Sequence, residues 1–148
     1  MKKITTTLLL IGSIFGVSAN ANTLRVKTTL LCEQSDGDQW YQVAIVPSLA
    51  KSTYNILVVK NDADDESKKL LLDTAAQKRS QGRDQETIYS DLRSTVKLVV
   101  NKDSNAATFS MIGDGPRSIR NLELECFRNA DLTYESSVGI EPRLGVGN

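Results

Sequence analysis

Apolar residues recur at every second position along most of the chain after residue 21. In the first such segment, one face is formed by Leu24, Val26, Thr28, Leu30 and Cys32. Successive side chains of a β-strand point to opposite faces of its sheet, so this period of two predicts strands with one buried face. Further strands are predicted in the segments 41–45, 54–58, 87–89, 95–100, 107–112 and 119–126.

Turn-forming residues separate these segments. The groups 35–38, 101–105 and 113–116 are rich in Asp, Asn, Ser and Gly, which favour tight turns. Seven or eight short strands joined by such turns predict an all-β fold, either an antiparallel small barrel or a sandwich. The run Ile56–Val59 contains no polar residue, which indicates a strand that is covered on both faces.

Residues 64–80 fit two kinds of element. Acidic residues at 64–66, and Lys78 and Arg79 further on, suit the two ends of a helix. Against a helix, strands are predicted on both sides, and the alternation of a strand is present in Leu70, Leu72, Thr74 and Ala76. We predict one strand of a long hairpin here, with a helix as the alternative.

The first 21 residues have the three parts of a secretory signal peptide. Lys2 and Lys3 form a positive n-region, residues 4–17 an apolar h-region, and residues 19–21 a small-residue cleavage site before Asn22. The mature protein is then periplasmic or secreted, and the sequence does not distinguish the two. The predicted organisation is a signal peptide at 1–21, a single β-rich domain at 22–129 and a flexible tail at 130–148, where the periodicity stops.

The two cysteines, Cys32 and Cys126, lie near the two ends of the predicted domain. In an exported chain an even pair most simply forms a disulfide, here between the first and last strands with both side chains facing the core. Each cysteine lies near the C-terminal end of its strand, so the two meet most easily if those strands are parallel. In an up-and-down meander, first and last strands are parallel when the strand count is odd, and the bridge therefore mildly favours seven strands. Antiparallel neighbours could also be bridged if their register is strongly staggered.

The charge balance excludes two classes of partner. The chain has 18 Lys and Arg against 18 Asp and Glu, and loss of Lys2 and Lys3 with the signal peptide leaves 16 against 18, a net charge of −2. Such a domain attracts neither a phosphate backbone nor an anionic bilayer. We therefore expect no nucleic-acid binding. No later segment is apolar enough to predict a transmembrane span.

Catalytic side chains are scarce, because the chain contains no histidine. This excludes Ser-His-Asp and Cys-His catalysis, and bridged cysteines supply neither a thiolate nor a zinc ligand. We predict that the protein is not an enzyme, with a histidine-free hydrolase as the alternative, and that it has no cofactor or metal. A weak calcium candidate is Asp62, Asp64 and Glu66, but Ser67 stands where an EF-hand turn requires glycine, so a solvated acidic turn is favoured.

The turn at 110–117 is the candidate recognition loop, through Ser110, Gly113, Asp114, Gly115 and Arg117. Glycine lets a backbone approach a partner closely, although a plain hairpin turn has the same composition. In size, compartment and loop chemistry the chain resembles bacterial periplasmic lysozyme inhibitors, which are small disulfide-linked β-barrels that offer a Ser/Gly loop to an enzyme cleft. This sequence does not contain the motif that marks that family, a Ser-Gly-rich segment followed by an aromatic residue.

Together these features predict an exported, non-enzymatic binding or interaction module on a disulfide-linked β scaffold, with a protein partner in the cell envelope. Two alternatives are an inhibitor of an extracytoplasmic hydrolase and a barrel that encloses a small apolar ligand. A deep apolar pocket would favour the second alternative. Trp40 and Tyr41 are neighbours in a strand, so one is expected in the core and the other exposed or at the rim.

Overall fold

The computed structural model of the chain describes residues 22–34, 39–64, 66–81, 85–113 and 118–136. These residues form ten strands and no helix, so the all-β prediction is confirmed, and the stretch that the sequence left open forms a strand from Ser67 onward. No membrane-spanning helix is found in this part of the chain. The predicted signal peptide lies outside it. The strands are β1 (Asn22–Lys27), β2 (Leu30–Glu33), β3 (Gln39–Pro47), β4 (Thr53–Asp62), β5 (Ser67–Gln81), β6 (Glu86–Ser90), β7 (Val96–Asn101), β8 (Ala106–Met111), β9 (Ile119–Arg128) and β10 (Asp131–Ser136).

Strands β2 to β9 form a closed antiparallel barrel of eight strands. Neighbours follow the order β5-β4-β3-β2-β9-β8-β7-β6, and β6 pairs again with β5 to close the barrel. Because consecutive antiparallel strands turn at alternate ends, the β6–β7 turn and the β8–β9 turn share one end. We call this the loop end. The opposite end, with the β5–β6 and β7–β8 turns and the last residue of β9, is called the basic end.

The interior of the barrel is filled with side chains, which form the inner core. Alternate residues of the strands point inward, and seven of them have no exposed surface: Cys32, Val43, Ile45, Ile56, Val58, Leu98 and Phe109. A barrel of eight strands is just wide enough for such side chains to fill it. The period of two in the sequence therefore marks the inner face of a packed barrel.

The predicted disulfide is confirmed and lies in the inner core. Cys32 and Cys126 are bonded with their Cα atoms 3.9 Å apart, and they are 0% and 3% exposed. They join β2 and β9, the first and last strands of the barrel, which are antiparallel with the cysteines directly opposite each other. The Cys126 N–H donates to the Asn105 carbonyl (2.7 Å), away from β2, so the cysteines form a pair without mutual backbone hydrogen bonds.

The prediction, drawn from the bridge, that the two strands are parallel and that the barrel has seven strands is therefore wrong. Side chains of a directly opposed pair in antiparallel strands approach closely whatever the position of each residue along its own strand. The direct register of Cys32 with Cys126 removes the need for a common strand direction. Eight strands close the barrel.

A second core lies outside the barrel, beneath a two-stranded terminal ribbon made of β1 and β10. The two strands pair from end to end, and β10 meets β5 in one parallel bridge, Glu135 with Lys69. The ribbon packs on the outer face of β2, β3 and β4, and the buried residues of this outer core are Leu31, Ala44, Val46, Leu57, Val59, Leu132 and Tyr134. The run Ile56–Val59 is covered on both faces, as predicted, because it contributes alternately to the two cores.

The segment 24–32, expected to be one strand, is two strands. The chain leaves the sheet at Thr28, whose N–H (3.1 Å) and hydroxyl (2.8 Å) both donate to the Ala130 carbonyl. Leu24 and Val26 consequently pack against the outer core, whereas Leu30 and Cys32 belong to the inner core. An alternation that continues through a change of strand cannot show which core each residue joins.

Strand β10 occupies the first part of the expected flexible tail. Residues 131–136 pair with the whole of β1, and Leu132 and Tyr134 are 0% and 1% exposed. The alternation here comprises only these two residues, which is too short to predict a strand by its period. Residues 137–148 of the expected tail lie outside the described residues.

The long strand β5 changes face at one extra residue. Val58 pairs with Leu72 and Val59 with Leu70, which leaves Leu71 as a bulge, 47% exposed. A bulge shifts the alternation of the strand by one residue. Leu70 therefore packs against the outer core and Leu72 against the inner core, although the sequence pattern placed both on one face.

Candidate functional site

The β6–β7 turn at the loop end is held together by its first residue. The Asp91 carboxylate accepts hydrogen bonds from the Thr95 hydroxyl and from the Val96 N–H (3.1 Å). Burial raises the pKa of the Asp91 carboxyl, but these hydrogen bonds outweigh burial and hold the pKa below its ordinary value. The turn is thus preorganised while Asp91 is ionised.

Two large apolar side chains are exposed on the turns of the loop end. Leu92 is 83% exposed and Ile112 is 72% exposed, the two highest values for large hydrophobic residues in the described part of the chain. The Ile112 N–H donates to the Thr95 carbonyl (2.8 Å), which fastens the β8–β9 turn to the β6–β7 turn. Single exposed apolar residues are common, but these two lie on turns that are hydrogen-bonded to each other. We call Leu92 and Ile112 the apolar pair.

The predicted recognition loop begins next to the apolar pair. Of its five predicted residues the structure describes Ser110 and Gly113, and Asp114, Gly115 and Arg117 lie outside the described residues. The Ser118 hydroxyl donates to the Gly113 carbonyl (2.7 Å) and accepts from the Gly113 N–H (3.1 Å). These two bonds pin the base of the loop.

Ser110 closes a bulge between β8 and β9. The register of these strands shifts between Phe109 and Met111, the residues on either side of Ser110. On the opposite strand, Asn121 has a positive φ of 50°. The Asn121 N–H donates to the Ser110 hydroxyl (3.1 Å). The bulge explains why Ile119 and Leu122, which both pack against the inner core, are three positions apart rather than two.

The charged residues beside the apolar pair are mainly positive. Arg93 follows Leu92 on the β6–β7 turn, and Arg120 adjoins the bulge at the base of the β8–β9 turn; both are exposed. Asp91 is the one acidic residue in the described part of these two turns, and its carboxylate is bonded within the turn. The described surface here therefore combines apolar and cationic groups.

The weak calcium candidate lies on the β4–β5 turn. The Asp62 carboxylate accepts the Asp64 N–H (3.1 Å), and Glu66 has a positive φ of 51°. Within the described ranges, which omit Asp65, no three His, Cys, Asp or Glu side chains are grouped so that they could hold a metal ion. Asp64 and Glu66 are exposed on this turn.

Trp40 and Tyr41 lie on opposite faces of β3. Tyr41 packs against the inner core, and the Trp40 ring centroid lies 6.0 Å from Lys68 Nζ. Both residues are half-buried. They therefore do not form a joint aromatic surface.

A cleft of about 260 Å³ opens at the basic end. Its polar lining includes Lys78, Thr87, Tyr89, Asn101, Lys102 and Arg128. The Tyr89 ring packs edge-on against Tyr54, with 5.4 Å between ring centroids. Burial and the neighbouring Tyr54 raise the pKa of the Tyr89 hydroxyl, and Arg128 opposes them.

The sequence did not indicate a site role for Leu92, Lys78 or Arg128, although each leaves a signal. Leu92 is the one apolar residue in the polar run 90–94. Arg128 continues the inward alternation of Leu124 and Cys126, which places a charge at a core position. Lys78 continues the alternation of β5 in the same way, but this signal depends on the strand assignment that the sequence left open.

Comparison with known proteins finds no matching family model, no similar curated protein and no similar solved structure.

Proposed function

We propose that this protein is a non-enzymatic interaction module that acts outside the cytoplasm and contacts a protein partner through its loop end. The observation that carries the proposal is the apolar pair, two large side chains in water on turns that are hydrogen-bonded to each other. Burial of a Leu or Ile side chain is worth about 1.5–3 kcal/mol. A partner that covers Leu92 and Ile112 would gain this free energy.

Hydrogen bonds in the described part of the loop end support the same role. Asp91 organises the β6–β7 turn, and Ser118 pins the base of the β8–β9 turn through Gly113. Loops on a rigid scaffold are the usual carriers of binding residues. Preorganised turns lose little conformational entropy when a partner binds.

The charges define the chemistry of the partner. Arg93 follows Leu92 in sequence, and Arg120 is the second residue of β9 after the β8–β9 turn. The carboxylate of Asp91 is already hydrogen-bonded within its turn. Complementary charge speeds association and selects the correct partner. We therefore expect a protein with an apolar recess bordered by carboxylates.

The finer form of the proposal is an inhibitor of an extracytoplasmic hydrolase. A glycoside hydrolase carries two carboxylates across its cleft, which is the acidic recess that two arginines and an apolar pair would fit. Ser110 and Gly113 of the predicted recognition loop belong to the same end of the barrel. This form requires that the partner loses activity when it binds.

The packing of the barrel supports protein contact over an enclosed apolar ligand. Leu98 and Phe109, near the middle of the inner core, have no exposed surface, so a ligand in the lumen would have to displace them. The absence of histidine supports a role without catalysis. The disulfide is consistent with the oxidising compartments outside the cytoplasm, and with a periplasmic or secreted protein.

Affinity capture with matched variants tests the proposal. The oxidised exported protein is immobilised and exposed to an extracytoplasmic extract, and each captured protein is purified and its Kd for the bait measured. The double variant Leu92→Ser/Ile112→Ser should weaken binding at least tenfold. The control is Leu49→Ser, which removes a leucine that is 65% exposed on the β3–β4 turn at the opposite end and should leave the Kd unchanged.

A partner that binds the double variant as tightly as the unmodified protein would contradict the proposal, as would the absence of any partner at micromolar bait. The finer form has a separate readout. The purified partner should lose hydrolytic activity in proportion to the fraction bound. A partner that retains full activity when bound would remove the inhibitor form and leave the contact surface in place.

A further inference from the structure

The basic end of the barrel carries three cations around one cleft. Lys78 lies directly opposite Tyr89, and Arg128 directly opposite Leu30, and both of these partners face the inner core. Directly opposed residues of antiparallel strands share a face of the sheet. Lys78 and Arg128 therefore lie on the inward face at the rim. Lys102, just after β7, completes the set that lines the cleft.

These positive charges are not balanced within the described ranges. The one salt bridge found there joins Arg25 to Asp131 on the terminal ribbon, and no acidic residue lines the cleft. Among the described residues, exposed acidic side chains next to lining residues are Glu86, opposite Asn101, and Asp103, which follows Lys102. Asp84 of the β5–β6 turn lies outside the described residues. Three cations around a recess repel one another, and its low-dielectric walls strengthen their attraction for an anion.

Uncharged donors complete the lining. Thr87 and Tyr89, which both carry a hydroxyl group, are 6% and 5% exposed and belong to the wall. The edge-on contact with Tyr54 holds the Tyr89 ring in place. Positive charges and hydrogen-bond donors thus converge on the same recess.

We propose that this cleft binds a small oxyanion with at least two negative charges, of the phosphate monoester type. The planar guanidinium of Arg128 can bond two oxygens at once, while Lys78 and Lys102 act as point charges. A cleft of about 260 Å³ is smaller than the roughly 300–1,000 Å³ pockets that hold drug-sized ligands, which indicates a compact anion. The site lies at the end opposite the apolar pair, so it does not depend on the proposed protein contact.

NMR titration of the oxidised, ¹⁵N-labelled protein tests this site. The probes are inorganic phosphate and, separately, glucose 6-phosphate, each added at constant ionic strength against sodium chloride. Saturable shifts are expected at the amides of β6, of the end of β7 and of Arg128. Each of the variants Lys78→Gln and Arg128→Gln should weaken binding about tenfold, the effect of losing one charge-assisted hydrogen bond.

The matched control is Lys97→Gln, which removes an exposed cation from β7 on the face away from the core. It should bind both probes like the unmodified protein, and equal denaturation midpoints would show that all variants are folded. Chemical shifts that do not saturate would overturn the proposal. A loss of affinity in Lys97→Gln as large as that in Lys78→Gln and Arg128→Gln would also overturn it. Tighter binding of glucose 6-phosphate would assign a phosphate ester, and equal binding would assign the phosphate group alone.

Discussion

At the scale of single residues, Tyr134 carries a hydroxyl into the outer core without a partner. The residue is 1% exposed, and no described group bonds the hydroxyl oxygen. The nearby Asp73 accepts the Asn55 side-chain amide through Oδ1 (2.7 Å), while its Oδ2 is also buried without a partner. Burial raises the pKa of Tyr134 to about 12, and the charge of Asp73 acts in the same direction.

Removing this hydroxyl should stabilise the protein. Tyr134→Phe keeps the packed ring and deletes a buried polar group that costs about 1–3 kcal/mol when unpaired. We expect the free energy of unfolding at pH 7 to rise by about 1 kcal/mol, measured by urea denaturation. The control Tyr41→Phe changes a half-buried tyrosine of the inner core. A loss of more than about 1 kcal/mol in Tyr134→Phe would show that the hydroxyl has a partner.

The same variant changes the alkaline stability profile. Tyrosine ionises near pH 10 in the unfolded chain, and Tyr134 ionises near pH 12 in the fold. Relative to Tyr134→Phe, the free energy of unfolding of the unmodified protein is therefore constant below pH 10. It falls by about 2–3 kcal/mol as pH rises from 10 to 12, because the unfolded chain loses the tyrosine proton first. The difference between the unmodified protein and Tyr134→Phe should show this loss between pH 10 and pH 12.

At the scale of elements, the terminal ribbon turns one wall of the barrel into a strand layer buried on both faces. Its contribution is apolar packing rather than strand pairing, because β10 meets the barrel sheet in a single bridge with β5. Leu132 at 0% exposure is the most buried apolar residue of the ribbon. The ribbon should therefore be sensitive to the loss of buried methyl groups.

Leu132→Ala tests this packing. Deleting a buried leucine side chain typically costs about 2–5 kcal/mol, the lost transfer free energy plus the cavity left behind. The matched control is Leu92→Ala, the same substitution at a position 83% exposed, which should change the stability by less than about 0.5 kcal/mol. Equal, small effects of the two substitutions in thermal or urea denaturation would mean that the ribbon is not packed on the barrel.

At the scale of the whole molecule, the disulfide joins the strands at which the chain enters and leaves the barrel. Cys32 and Cys126 are 94 residues apart in sequence, so their bond restricts most of the unfolded chain. A loop of that length corresponds to about 4.7 kcal/mol of chain entropy, and removal of a native disulfide typically costs 2–5 kcal/mol. Breaking the bond should therefore lower the stability of the whole barrel.

The double variant Cys32→Ala/Cys126→Ala should lose about 2–5 kcal/mol of unfolding free energy relative to the oxidised protein. Thiol labelling of the non-reduced, denatured protein is the direct control and should find no free thiol. Two labelled thiols would contradict the bond. Unchanged stability of the variant would contradict its contribution to the barrel.

Most of the strand pattern and the disulfide could be predicted from the sequence, because both depend on local information. The alternation of Tyr41, Val43 and Ile45 follows from the pleat of a single strand. The presence of two cysteines in a chain that is predicted to be exported is enough to favour a bond. The candidate site was harder to predict from the sequence. Ser110 and Gly113 were found through turn chemistry, whereas the exposed Leu92 lay in a turn without such a signal.

Only the tertiary structure decided how the strands close, which face belongs to which core, and which charges meet. The bulge at Leu71 and the break at Thr28 each move the next residues of the same alternation from the outer core to the inner core. Neither interrupts the apolar period enough to be detected. Lys78 and Arg128 are 50 residues apart in sequence and meet because eight strands close into a barrel. Closure is a long-range property of strand pairing and register, whereas an apolar period reports only the local backbone.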